Sequence, residues 1–219
     1  VNYVVSASEA HSLSNARRST DDALEEFRLI VAERRARGLE GSVALGCGIA
    51  TAFGCTLQGE VPEGRVVEIA AMLARDGADE IMAADTVGYA NPRQVRHLFG
   101  KIAAATGPLP LAAHFHDTRG LGLANVVAAL EAGIRRFDAS LGGLGGCPFA
   151  PGATGNINTE DCAHLLESLG FDTGIDIEAL VALRARFEEW LPGERFGGGI
   201  SRSGLPKTFQ RAAQASGDG

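Results

Sequence analysis

An α/β fold with a parallel sheet is the class that this 219-residue chain predicts. Three observations predict it. Short strand-like apolar runs alternate with longer runs of helical period. Gly38, Gly77, Gly107 and Gly133 each close a helical run just before a strand, where a left-handed residue is needed and only glycine adopts it cheaply. The repeat is roughly 30 residues, the length of one βα unit. Alternation of this kind puts parallel strands inside and helices outside.

Each element has its own justification. Strands are predicted near Tyr3–Ala7, Ser42–Thr51, Glu80–Ala84, Leu109–Phe115 and Arg136–Ser140. Helices are predicted near Asp21–Arg37, Glu63–Asp76, Pro92–Ala105, Leu121–Ala132, Thr159–Leu169 and Ile177–Trp190. Leu24, Phe27, Ile30 and Val31 recur at spacings of three and four, which makes one apolar helical stripe. Asn91 before Pro92 is a good N-cap followed by a good first helical residue. Asn158 with Asp161 three residues on resembles a capping box. The expected fold is a (β/α)8 TIM barrel with about five βα units present, the remainder lying before Val1. An open doubly wound sheet, for which five strands suffice, is the rival. Residues 1–192 are expected to form the partial barrel catalytic domain and residues 193–219 a polar C-terminal tail.

Composition narrows the function. The net charge of -7, with no dense basic patch, argues against nucleic-acid binding. No apolar run reaches the ~18 residues of a membrane span, so no membrane partner is expected, and the location expected is cytoplasmic. The four cysteines, at 47, 55, 147 and 162, include no Cys-x-x-Cys pair. A disulfide framework is not expected in a chain of this size. Cys47, Cys55 and Cys162 read as small buried hydrophobes. The chain opens at Val1 in what reads as a strand already in progress, so a missing N-terminal part is expected.

Two segments carry chemistry. In Ala113-His114-Phe115-His116-Asp117, alternate residues of a strand share a face, so His114 and His116 point together at its carboxyl end. Barrel enzymes build their sites at that end, and imidazole is the commonest metal ligand. The other reading is two histidines satisfied by hydrogen bonds at a strand end. Asp117 is either an acceptor for an imidazole N–H or a turn residue opening the next loop. The second segment runs from Gly145 to Asn156 and presents Cys147 on a glycine-rich loop. A thiol beside a cation can act as acid or base; a small buried side chain is its plainer role. Asn156 is either a carbonyl ligand or a turn residue. Asp85 and Thr86 end a strand and either contact substrate or cap the loop. Gly142-Gly143-Leu144-Gly145-Gly146 lacks the spacing of a dinucleotide fingerprint.

These motifs resemble the 3-hydroxy-3-methylglutaryl-CoA lyase family of metal-dependent barrel lyases. The text that matches is Ala83-Ala84-Asp85-Thr86-Val87-Gly88, then His114–Thr118, then Gly142–Asn156 with Thr159-Glu160-Asp161. The His-x-His strand is shared with a wider group; the Gly-Gly-Cys-Pro-Phe-Ala-x-Gly-Ala-Thr-Gly-Asn loop is more specific. The resemblance implies that His114, His116 and Asn156 ligate a divalent metal, Mg2+ or Mn2+, and that Cys147 is catalytic, with His114 a further candidate for proton transfer. Asp85 and Thr86, from their place at a strand end, are the substrate-binding candidates. The resemblance implies an acyl-CoA substrate and a retro-Claisen cleavage to acetyl-CoA and acetoacetate, a reaction of leucine degradation and ketone body metabolism; a homo-oligomer is expected because an incomplete barrel leaves its first and last strands as unpaired edges. The family's further ligand, an Asp next to an Arg on the first barrel strand, has no counterpart here. The alternatives are a related barrel aldolase or condensing enzyme acting on a 2-oxo acid, whose loop lacks the thiol, and an inactive fragment.

Overall fold

The computed structural model describes residues 1–146 and 155–212. Val1–Asp138 forms one compact unit; Ala139–Gly146 with residues 155–212 belongs to a second. In the first unit the chain runs β1 (Asn2–Ser6), α1 (Glu9–Ala16), α2 (Thr20–Ala36), β2 (Gly46–Ala50), α3 (Glu63–Asp76), β3 (Glu80–Asp85), α4 (Pro92–Thr106), β4 (Leu111–Phe115), α5 (Gly122–Glu131) and β5 (Arg136–Asp138). The second contains a 3-10 turn (Leu141–Gly143), α6 (Thr159–Ser168), α7 (Ile177–Trp190) and the short α8 (Ile200–Ser203).

All five strands are parallel and lie in the order β1-β2-β3-β4-β5. A doubly wound sheet reverses its strand order at the site; among the described residues this sheet shows no reversal. Sequential order with a helix in each later crossover is the winding of a barrel, and it decides between the two folds the sequence left open.

Strand alternation sorts the core. Val5, Cys47, Ile49, Ile81, Ala83, Ala113 and Phe115 are buried beneath the helices. Phe115 stacks at 6.2 Å from Phe53, which lies 6.4 Å from Phe99 of α4. Leu24, Phe27 and Val31 bring α2 onto this core, as their spacing requires. The other sheet face carries Asn2, Gly46, Gly48, Met82 and Ala112 around a cavity of about 230 Å³. Cys47, Cys55 and Cys162 are buried and unpaired, and burial pushes the Cys47 thiol up to about 12. No helix among the described residues is long and apolar enough to cross a membrane.

Local signals account for most boundaries. Asn91 accepts from the Arg93 and Gln94 amides while Gln94 returns to the Asn91 amide, a full capping box with Pro92 as the first helical residue. Gly77 closes α3 at φ +117, where a side chain would be strained and its Cβ would crowd a Val31 methyl at 3.0 Å. Three expectations need correction. The predicted strand at Ser42–Thr51 begins only at Gly46, because Ser42 and Val43 bond back to Leu39. The one at Arg136–Ser140 stops at Asp138, and Leu141–Gly143 turns instead. At Asn158 only half the capping box forms. Its side chain accepts from the Asp161 amide, but the Asp161 carboxylate accepts from Gly199 and Ile200. Helix α1 escaped prediction because it buries only His11 and Ser12, which gives no apolar stripe.

Candidate metal-binding and catalytic site

Histidines 114 and 116 sit where alternation puts them. Ala113 and Phe115 are fully buried toward the helices, so His114 and His116 must face the other way, at the carboxyl end of β4. Their ring centroids are 5.1 Å apart. His116 is buried, 7% exposed, and its Nδ1 has no hydrogen-bond partner. Burial, and then the neighbouring His114, pull its pKa down to about 4. At neutral pH it is an uncharged imidazole with a lone pair to give.

His114 Nδ1 lies 3.2 Å from Asp138 Oδ2. That contact follows from register, since His114 and Asp138 are partners across β4 and β5. A carboxylate on one ring nitrogen orients an imidazole and leaves the other nitrogen for a ligand. The sequence reading offered Asp117 for such a role. Its carboxylate instead accepts from the Gly122 amide at 2.8 Å, and the plainer loop-opening reading holds. Asp138 was missed as a partner because it is 24 residues away and only the sheet brings it alongside.

Asp85, at the end of β3, is 1% exposed. Its carboxylate accepts from the Tyr89 amide at 2.7 Å and the Ala90 amide at 3.1 Å. Desolvation outweighs these bonds and the nearby Arg119, and pushes the carboxyl up to about 6. Thr86 Oγ1 accepts from the Thr51 amide at 2.8 Å. Thr51 follows β2 in a left-handed conformation, φ +57, rare for a β-branched residue. Its hydroxyl meets Ser6 Oγ at 3.1 Å, and Ser6 Oγ meets His11 Nδ1 at 3.0 Å. A buried polar chain thus links the carboxyl ends of β3, β2 and β1.

Within the second unit, Asn156 Nδ2 donates to the Leu144 carbonyl at 2.9 Å, and its Oδ1 is buried with no partner. Gly143 and Gly155 make this packing possible: a Cβ on Gly155 would meet the Gly143 carbonyl at 2.2 Å. Glu160, fully buried, accepts from the Gly142 amide through both oxygens, at 3.1 and 3.0 Å, and lies 3.8 Å from Arg184. The sequence reading quoted Glu160 within Thr159-Glu160-Asp161 and assigned it no role. Cys147 lies outside the described residues.

The donor set fits a divalent ion. Within the first unit, one buried neutral imidazole has an unsatisfied nitrogen and its neighbour is oriented by a carboxylate. Among the described residues, no group of three or more His, Cys, Asp or Glu side chains comes together that could hold a metal ion.

Comparison with known proteins follows the same line. Residues 1–186 match the HMGL-like family model. An (R)-citramalyl-CoA lyase of Chloroflexus aurantiacus is 44% identical over 191 residues, 87% of this chain and 58% of that protein. A hydroxymethylglutaryl-CoA lyase of Pseudomonas mevalonii is 40% identical over 84% of this chain and 60% of its own length. The chain therefore spans somewhat less than two thirds of these curated relatives. Among solved structures, an HMG-CoA lyase of Acinetobacter baumannii in complex with coenzyme A and 3-methylmalate superposes with a TM-score of 0.86. It is 40% identical and aligns over 95% of this chain and 67% of that one.

Proposed function

The chain belongs to the HMGL-like family, and from that membership we propose a carbon–carbon lyase that cleaves a 3-hydroxyacyl-CoA thioester, with 3-hydroxy-3-methylglutaryl-CoA as substrate. The products are acetyl-CoA and acetoacetate. The observation that carries this reading is the His114/His116 pair on one face at the carboxyl end of β4, with His116 buried and its Nδ1 unsatisfied.

The proposed ligands of a divalent metal, Mg2+ or Mn2+, are drawn from His114, His116 and Asn156. When bound, the metal supplies polarisation of the substrate's tertiary hydroxyl and lowers its pKa. In the proposed chemistry that hydroxyl loses its proton, C3 becomes a ketone, and the C2–C3 bonding pair passes to C2 as the thioester enolate. With Nδ1 held by Asp138, His114 has one ring nitrogen left for one role: as the proposed proton acceptor it takes the hydroxyl proton there and leaves the metal to His116 and Asn156. Cys147 is the proposed donor that protonates C2. Asp85 and Thr86 are the proposed substrate-side pair, acting through the loop backbone they hold.

The relative with 44% identity gives a second substrate a specific claim, (R)-citramalyl-CoA. Acetyl-CoA release from each thioester, with Mg2+ or Mn2+ added, tests both. Release from either supports a thioester lyase and their kcat/KM ratio assigns the substrate. His116→Ala is expected to lower turnover by ~100-fold or more, the effect of removing a ligand or oriented metal site. Absence of release from both thioesters, or full activity in His116→Ala, overturns the reading.

A further inference from the structure

Arg119 is three residues beyond His116, yet its contacts are on a different loop. Its Nη1 donates to two successive carbonyls of the segment after β3, Val87 O at 3.0 Å and Gly88 O at 3.1 Å. Its guanidinium lies over the Tyr89 ring, 4.5 Å from the centroid. Backbone packing brings the two loops together at the same place. Gly88 has φ +67, and a Cβ there would stand 2.7 Å from Thr118 Cβ. The segment is held from two further sides. Asp85 takes the Tyr89 and Ala90 amides, and Asn125, buried in α5, donates to the Ala90 carbonyl at 3.1 Å. Asp85 and Asn125 each belong to a regular element; among the described side-chain hydrogen bonds, those of Arg119 join one connecting loop to the other.

We propose that Arg119 is a positioning residue that latches the loop after β3 to the loop after β4, and thereby keeps residues 85–91 in place beside the strand end that presents the imidazoles. A guanidinium suits the task. Its plane covers an aromatic face while one nitrogen spans two carbonyls, and an ammonium cannot do both. The consequence for turnover rests on the lyase reading; the latch itself does not.

Amide hydrogen exchange on the whole protein tests the latch at Gly88, Tyr89 and Ala90, whose amides bond to Asp85. In Arg119→Gln these three are expected to exchange about tenfold faster or more, while Ile81 and Ala113 in the strands keep their protection. Arg119→Lys is expected to recover part of the loss. In an active protein, kcat in Arg119→Gln falls about tenfold while KM moves less than about threefold, because no substrate contact is removed. Unchanged exchange in Arg119→Gln overturns the latch. Faster exchange with unchanged kcat, or a raised KM with unchanged kcat, overturns the positioning role. If Arg119→Gln does not fold, Tyr89→Leu takes its place: it removes the stacking face and keeps both carbonyls, and unchanged exchange there overturns the proposal. A wild-type protein inactive on both thioesters defeats the lyase reading and leaves the exchange comparison to decide the latch.

Discussion

Replacing Asp85 with Asn should convert a pH-dependent liability into a constant one. In the unfolded chain the carboxyl titrates at its ordinary 3.8; in the fold, burial raises it to about 6. Below 3.8 both states hold the proton and the group costs nothing through ionisation. As pH rises from 3.8 to about 6 the unfolded chain ionises first, so stability falls, and above about 6 the full cost is present. At ~1.36 kcal/mol per pH unit that cost is roughly 3 kcal/mol. Asparagine never ionises and escapes it. Its NH2 stands where the second carboxyl oxygen, protonated or not, can accept, so either Tyr89 or Ala90 loses its acceptor, at about 1–3 kcal/mol. The variant is therefore expected to be less stable than the wild type at pH 4 and equal or more stable at pH 7. Urea unfolding of both proteins across that range measures the difference. Carboxylates whose pKa is lowered in the fold, Asp76 and Asp79 among them, are present in both proteins and cancel. A difference that stays flat with pH, or moves toward the wild type as pH rises, refutes the argument, since it would mean that hydrogen bonds and Arg119 outweigh burial. Arg119→Gln should shift the window upward, because its charge works to keep Asp85 ionised.

Phe115→Ala removes a fully buried ring packed on Phe53 and should cost about 3–5 kcal/mol in chemical unfolding, with far less effect if the pocket collapses. Gly88→Ala should cost about 2–4 kcal/mol, from a left-handed alanine and the clash with Thr118. Adding Thr118→Gly should restore the part due to the clash and leave the backbone part, as thermal melts of the pair would show. Glu160→Gln strands Arg184 against an uncharged neighbour in a buried setting. A loss of about 3 kcal/mol is expected, and a loss below the noise of the measurement would mean that Glu188 alone satisfies the arginine. Cys147→Ala should collapse turnover and leave Mn2+ affinity unchanged; normal turnover would remove the thiol from the mechanism.

Much of this protein was legible in its residues because the signals are local. A helix is announced by its cap and its stripe, so Asn91-Pro92 and Leu24/Phe27/Val31 are readable in isolation. Side chains alternate across a strand whatever its burial, so that His114 and His116 share a face needed no partner to be inferred. The HMGL-like family itself was recognisable from three short motifs, and the match over residues 1–186 agrees. Winding direction was different. Five similar βα units fit a reversing sheet as well as a sequential one, and only the pairing of β1 through β5 in order distinguishes them. Long-range partners were hidden for the same reason. Asp138 reaches His114, Arg119 reaches Val87 and Gly88, and Thr51 reaches both Thr86 and Ser6, each across a strand spacing that has no fixed counterpart along the chain. Residue type and periodicity determine what a segment can become. Which carboxylate orients which ring, and which loop is tied to which, depends on distances that exist only after the strands are laid side by side.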